Sequence, residues 1–335
     1  MNSLLSNKQR VVELSKALYN FDATEVQQQL GDLFADDALV QLCYPFEILA
    51  NAQALYDEAI ASLQRAFPDL ERRDTIIMSG TTERGDDWVG CCGYYCGTFA
   101  NSWLDIPPTG HMVAMRFHEF YKFVDGKVVE FQAIWDIPEL MMQAKAWPMV
   151  PSLGREWHVP GPATLDGISL QTQDSAVTAK SLQVVVDMCD ALGNNAVGGV
   201  EAMRLSDYWH PRCSWYGPSG IGTARTLTGF RNWHQIPFLN GLPDRVGDPH
   251  LGHAFADESY VGYTAWPGMF MTVNGSGWLG IAPGNQKISM RSLDFWRVEG
   301  DLIRENWVLI DLLSVYDQLG VDVLARMREF SKARP

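Results

Sequence analysis

Two aspartates, Asp136 and Asp311, each close an apolar run that reads as a β-strand and open a short helix. A carboxylate among apolar side chains has its charged form disfavoured, which raises its pKa toward values useful for proton transfer. An aspartate at a strand-to-helix junction also caps the helix by accepting from an amide two or three residues on. For Asp136, followed by Ile137-Pro138, that amide is the one of Glu139. Asp311, flanked by Trp307-Val-Leu-Ile and Leu-Leu, is the stronger candidate for a general acid or base.

Arginines stand near both acids. With a three-residue turn at Glu299-Gly300-Asp301, Arg291 falls opposite Leu309 and diagonally to Asp311. There it would bind a substrate carboxylate or enolate, or neutralise Glu305 or Asp311. Arg116 matches it if Val124-Asp125-Gly126 turns the same way. A two-residue Asp-Gly turn would instead put Arg116 and Asp136 on opposite faces. His118 shares a strand face with Arg116, and a histidine satisfied within the core is its plainer reading. His253, between Gly252 and Ala254, is better placed to reach a cavity than His250. His234 lies on a helix ahead of Pro243-Asp244. Seven of the twelve tryptophans fall in the second half, where Trp296, Trp307 and Tyr216 are candidates for a stacking wall.

Other chemistries lack their residues. Cys91-Cys92-x-x-x-Cys96 has no second Cys or His pair at finger spacing, and the six cysteines read as reduced packing residues of a cytoplasmic protein. No His/Asp/Glu cluster has metal spacing, so no metal is expected. Gly217-Pro-Ser-Gly-Ile-Gly222 lacks the Lys-Ser/Thr of a phosphate loop and reads as a strand-to-helix turn. No Gly-x-Ser-x-Gly nucleophile elbow occurs.

The elements that position these residues come in two sets, because the chain repeats itself at an offset of 175 residues. Trp103-Leu-x-Ile-x-Pro108 recurs as Trp278-Leu-x-Ile-x-Pro283. Met115-Arg116-x-x-Glu119-Phe-Tyr121 recurs as Met290-Arg291-x-x-Asp294-Phe-Trp296. Glu130, Asp136 and Gln143 recur as Glu305, Asp311 and Gln318, giving ten identities over 103–143 and 278–318. Phe67-Pro-Asp69 likewise answers Leu242-Pro-Asp244. The length of 335 residues suits two domains, each able to bury a core.

We divide the chain into a first domain (1–146), a Pro/Gly-rich linker (147–174) and a second domain (175–335). Helical periodicity marks 11–18, 24–34 and 52–66, with strands at 38–43, 87–99, 112–123 and 127–135. After a helix from Asp174 or Ser175 to Leu192, strands follow at 213–216, 258–265, 268–273, 288–298 and 302–309. That order is α+β, with helices packed on a curved antiparallel sheet. A net charge of −14 argues against nucleic acid or an anionic membrane as partner. No transmembrane run or signal peptide is read in the sequence.

Trp103-Leu-Asp-Ile-Pro-Pro-Thr-Gly110, the paired strands after it and Ile303-Arg-Glu305-Asn-Trp307-Val-Leu-Ile-Asp311 resemble the SnoaL-like polyketide cyclases, of the nuclear transport factor 2 fold. The resemblance covers roughly 20–143 and 190–320. It implies two tandem cone-shaped α+β barrels, each with a deep apolar pocket and cofactor-free acid–base chemistry on a small-molecule substrate. The family's catalytic acid falls on Asp311 and, by repeat, on Asp136. Many relatives carry His between the Glu and Trp, where this chain has Asn306 and Phe131. Relatives pair through their sheets, so the two units are expected to form that dimer within one chain, and homodimerisation of the whole chain stays open. The expected function is an aldol, retro-aldol, cyclisation or isomerisation step next to a carbonyl. A binding protein with the same pocket and a scaffold with closed cones are the rivals.

Overall fold

The structure, a computed structural model, describes residues 3–248 and 250–332. The chain divides into two compact units. The first takes the residues up to Pro148, Gly161–Thr172 and the segment from Gly320; the second takes Met149–Pro160 and Gln173–Leu319.

In the first unit, α1 (Ser3–Asn20) and α2 (Ala23–Leu33) precede β1 (Phe34–Leu42) and β2 (Glu47–Leu49). Asp22 caps α2 by accepting from the amides of Thr24 and Glu25. The helix expected over 52–66 forms as α3 (Ala52–Ala54), a π-helical turn (Leu55–Ile60) and α4 (Ala61–Ala66). β3 (Glu71–Thr81), β4 (Asp87–Thr98), β5 (Met112–Val124) and β6 (Lys127–Trp135) follow, then α5 (Ile137–Gln143). The sheet order is β2-β1-β6-β5-β4-β3, antiparallel except for the parallel β1–β6 pair. β3 was not expected from the sequence.

The second unit repeats this order. α6 (Ser175–Leu192), capped by Asp174, and α7 (Asn195–Ala202) precede β7 (Trp209–Tyr216) and β8 (Thr223–Arg225). α8 (Thr226–Phe230), a π-helical turn (Arg231–Gln235) and α9 (Ile236–Gly241) answer the interrupted helix of the first unit. β9 (Val246–Gly247), β10 (Gly252–Asp257), β11 (Tyr260–Thr272), β12 (Lys287–Glu299), β13 (Leu302–Ile310) and α10 (Leu312–Gln318) complete it. The order is β10-β11-β12-β13-β7-β8, with β9 on β11 and the β13–β7 pair parallel. The two strands expected at 258–265 and 268–273 are one strand with a register shift between Ala265 and Met269. α11 (Val323–Lys332) ends the described chain and belongs to the first unit, where Arg328 bonds Asp105 at 3.0 Å. Among the described residues no helix is long and apolar enough to cross a membrane.

The residues shared by the two units do the same structural work in each. Trp103 bridges Ile106 and Trp278 bridges Ile281, closing turns in which Leu104 and Leu279 adopt φ of 51° and 50°. Asp69 accepts from the Thr98 amide at 2.6 Å and Asp244 from the Thr272 amide at 2.8 Å; the Thr98 amide and then its hydroxyl hold Asp69 below the ordinary range, and the Thr272 hydroxyl and then its amide do so for Asp244. Gln143 clamps Ala114, taking its amide at 3.0 Å and giving to its carbonyl at 2.6 Å. Gln318 does the same to Ser289, at 2.8 and 3.0 Å.

Of the two turn lengths left open by the sequence, both terminal hairpins use the two-residue one. Val124 pairs with Lys127, and Glu299 with Leu302. A bulge then leaves Val129 without a ladder partner in β6, and another leaves Arg304 in β13. Each extra residue reverses the change of face that the shorter turn would impose, so Arg116 and Asp136 stay on one side. The loss of two hydrogen bonds in Gln143→Ala or Gln318→Ala is expected to cost about 1–2 kcal/mol, read by urea denaturation, with little change in the strands themselves.

Candidate functional site

Residue parity along β5 and β12 separates two sheet faces. In the first unit Phe117, Glu119 and Tyr121 face the interior, together with Tyr95, Phe131 and Trp135 of the paired strands. Glu119 is buried there with four donors around it. Arg72 gives to Oε2 at 2.5 Å, Tyr121 to Oε2 at 2.6 Å, Tyr95 to Oε1 at 3.0 Å and the Trp135 indole to Oε1 at 3.1 Å. Arg72 also holds Asp74 at 2.9 Å. Burial, reinforced by the Glu119 charge, pushes both phenols well above their usual range, so they remain donors. Side chains fill this interior: the void beside Glu119 is about 10 Å³.

The strand register of the second unit is the same, and its contents differ. Phe117 pairs with Trp135 as Ser292 pairs with Ile310, and Tyr121 pairs with Phe131 as Trp296 pairs with Asn306. Tyr95 pairs with both Arg72 and Met115, and Met269 pairs with both Gly247 and Met290. Asp294 therefore stands where Glu119 stands, and the four donors have become Gly247, Met269, Trp296 and Ile310. Phe117 has become Ser292. The exchange of arginine for glycine, two large rings for Ile and Ser, and a phenol for a thioether opens a cavity of about 390 Å³. Its walls include Trp209, Trp215, Phe230, Phe238, Trp296 and Val308, with Asp294, His234, Gln235 and Arg245 among them.

Asp294 is buried, and no cation pairs with it among the described residues. Burial pushes its carboxyl up to about 8, against a weaker downward pull from the Ser292 hydroxyl. His234 sits on the π-helical turn, stacked on Trp215 with ring centroids 4.1 Å apart. Burial, then the charge of Arg245, depress it to about 3, so it is a neutral imidazole. Four buried polar atoms of lining residues have no hydrogen-bond partner: Trp209 Nε1, Trp296 Nε1, His234 Nδ1 and Gln235 Oε1. Each unmade bond costs about 1–3 kcal/mol, and a ligand rich in carbonyl and hydroxyl groups would recover it. A second cavity of about 500 Å³, bordered by Trp233, Pro237, Trp278 and the Gly220-Ile221 turn, shares His234 with the first.

The residues singled out from sequence fall into three groups. Trp296 and His234 line the cavity beside Asp294. Asp311 and Arg291 lie on the opposite sheet face and pair with each other at 3.1 Å, directly across the ladder and not diagonally. Asp311 also accepts from the Ser314 amide at 3.2 Å, and Asp136 accepts from the Glu139 amide at 3.3 Å. Asp136 meets Arg116 at 3.5 Å. Neither aspartate borders the cavity. Tyr216 and Trp307 meet at a tilt of 35° with ring centroids 5.4 Å apart on that opposite face, with Tyr216 bonded to Glu305 and the Trp307 indole to the Pro160 carbonyl. His118 is fully buried in the first unit on the face of Arg116, and His253 pairs with Thr264 on β10, away from the cavity walls. Among the described residues no group of three or more His, Cys, Asp or Glu could hold a metal ion.

Sequence reasoning passed over Asp294, although its match to Glu119 in the repeat was visible. The signal was an acid kept on an inward-facing strand position while its neighbours two residues away changed from Phe and Tyr to Ser and Trp.

Residues 12–144 match the family model of the SnoaL-like polyketide cyclases. That stretch makes up most of the first unit. The second repeats its strand order and register. Among solved structures the chain is similar to a protein provisionally named a SnoaL-like polyketide cyclase from Jannaschia sp. CCS1, at 19% identity over 42% of this chain and 93% of the other, with a TM-score of 0.37. It is also similar to IdmH from Streptomyces antibioticus, provisionally named a polyketide cyclase, at 20% over 42% and 98% with a TM-score of 0.35. A third is a nuclear transport factor 2-like protein from Burkholderia thailandensis, at 18% over 42% and 96% with a TM-score of 0.32. No protein of curated function matches the chain in sequence.

The Asp294 shift has a direction for stability. The unfolded chain releases this proton near 3.8 while the folded chain holds it to about 8. Its contribution is therefore full below about pH 4 and is lost as pH rises through about 8. Asp294→Asn is expected to raise stability at pH 8–9 by on the order of several kcal/mol and to flatten its fall between about pH 4 and 8. Thermal unfolding across pH reads both; an unchanged slope would mean that the carboxyl is ionised in the folded state.

Proposed function

We propose that the second unit is a catalytic half and the first a closed, structural one. The reaction is proton transfer next to a carbonyl on a small hydrophobic or polyoxygenated substrate, with Asp294 as general base and then general acid. One observation carries this reading. A buried carboxyl that loses all four of the donors surrounding its counterpart, and gains a cavity beside it, has been left reactive at a cost in stability. The family match of the first unit supports cyclase or isomerase chemistry for the chain.

In this reading ionised Asp294 takes a proton from the carbon next to a substrate ketone. The electron pair of the broken C–H bond becomes the enolate π bond, and negative charge moves to oxygen. The unpartnered indole N–H groups of Trp209 and Trp296 supply donors for that oxygen in a wall that excludes water. Neutral His234 adds a further hydrogen-bonding group without adding charge. Return of the proton to a different carbon isomerises the substrate. Attack of the enolate on a second carbonyl, with the Asp294 proton passing to the new alkoxide, closes a ring. A carboxylate with a pKa near 8 is a stronger base than an ordinary one and remains partly ionised near neutral pH. Asp311 and Asp136 hold helix ends and arginines in place.

Hydrogen–deuterium exchange at the α-carbon of 2-tetralone, followed by NMR in D₂O, tests this without knowledge of the natural substrate. The exchange catalysed by the protein should rise with pH through about 8 and then level off. Asp294→Asn should lose 10²–10⁴-fold, while Asp311→Asn should lose stability and keep the exchange. Full exchange in Asp294→Asn would remove Asp294 from the chemistry.

A further inference from the structure

Charge inside the cavity beside Asp294 is unbalanced. Asp294 is held neutral by burial up to about pH 8, His234 is neutral and a thiol such as Cys189 is neutral at pH 7. Arg245 is a guanidinium and stays charged. Its recorded hydrogen bond is a 3.3 Å contact from Nη2 to the Leu192 carbonyl, and its head lies 5.9 Å from the Phe238 ring centroid. Among the described residues it meets no carboxylate. The other partly buried arginines of this unit do: Arg231 pairs with Glu201, Arg291 with Asp311, Arg297 with Glu305 and Arg304 with Glu299. Arg245 is half-buried, so its lost hydration is not fully replaced, and in a chain of net charge −14 this cavity wall is a positive spot.

Position along the cavity adds to this. Arg245 is close enough to His234 for its charge to lower the pKa of that imidazole. The apolar walls of Trp215, Phe238 and Trp296 line the same cavity as Arg245 and Asp294. We propose that the cavity takes a flat, ring-bearing monoanion whose carboxylate, or equally acidic oxygen, docks on Arg245, leaving its carbonyl end toward Asp294. This rests on the reading of the cavity as a substrate site and deepens it to a substrate class. An arginine fork suits a carboxylate because two N–H groups match two oxygens. A dication or a positively charged ring would meet Arg245 with no compensating carboxylate and is excluded on the same ground.

Two isosteric probes test the proposal by calorimetry on the full chain at pH 7: 2-naphthoate and 2-naphthamide. The naphthoate should bind at least about 10-fold tighter than the amide, the size expected of one charge-assisted hydrogen-bonded pair. Arg245→Met should abolish that preference, and Arg245→Lys should keep part of it, which separates loss of charge from loss of folding. Equal binding of the two probes, a preference that survives in Arg245→Met, or no binding of either at millimolar concentration would overturn the proposal. Asp294→Asn should retain the preference. If it does so while the ketone exchange is absent from the unaltered protein, the acid–base reading fails and the anion site stands.

Discussion

A carboxyl group taken out of water must be surrounded by donors or give up its charge. The two units meet that constraint in opposite ways at one position of one strand. Glu119 is enclosed by an arginine, two phenols and an indole, and the interior around it is solid. Asp294 has a glycine, a methionine, an unbonded indole and an isoleucine at those places, and its carboxyl holds a proton up to about pH 8. The other differences between the interiors follow from this exchange. Removal of Arg72's counterpart empties the space its side chain fills, and the smaller residues at 292 and 310 extend that space into a cavity.

What the units share and what they do not share answer different questions. The ten identities of the repeat serve folding: a tight turn at Trp-Leu-x-Ile, an aspartate cap, an arginine across the ladder from it, and a glutamine clamp between the terminal helix and its strand. These are needed in any copy, whatever its interior does. The cavity of the second unit comes from positions that changed, and it depends on four strands at once. A duplicated chain can thus keep one copy as a packed support while the other copy holds an open, destabilised interior.

Much of the fold was legible in the sequence, because its signals are local. Asp22 and Asp174 announce their helices, Asp125-Gly126 and Gly300 mark the hairpins, and the 175-residue offset gives two α+β units. β3 was missed because Arg72 and Asp74, which look like loop residues, point inward to an ion pair that only the folded sheet supplies. β10 is short, six residues from Gly252 to Asp257. The hairpin bulges at Val129 and Arg304 were invisible for another reason: a two-residue turn plus one extra residue leaves the same face pattern as a longer turn. The prominence of Asp311 and Asp136 reflected their place at the ends of apolar strands, a place that serves capping. Asp294 sits among equally apolar neighbours, but its distinguishing feature is the absence of Arg72's counterpart, and that counterpart is a glycine on the two-residue strand β9. The 175-residue offset sets Gly247 against Arg72, but only the folded sheet shows that the missing side chain would have reached the acid.

The protonation of Asp294 is the point from which the cavity's charge, its stability cost and its chemistry all follow. Its direct measurement is a ¹³C NMR titration of the aspartate side-chain carboxyls, with the Asp294 signal assigned by its disappearance in Asp294→Asn. The account predicts a midpoint near 8 for this one carbon, far above the ordinary carboxylate range. A midpoint near 4 would mean that the carboxylate is ionised and solvated in the folded protein, and the contrast between the two units would then carry no reactivity.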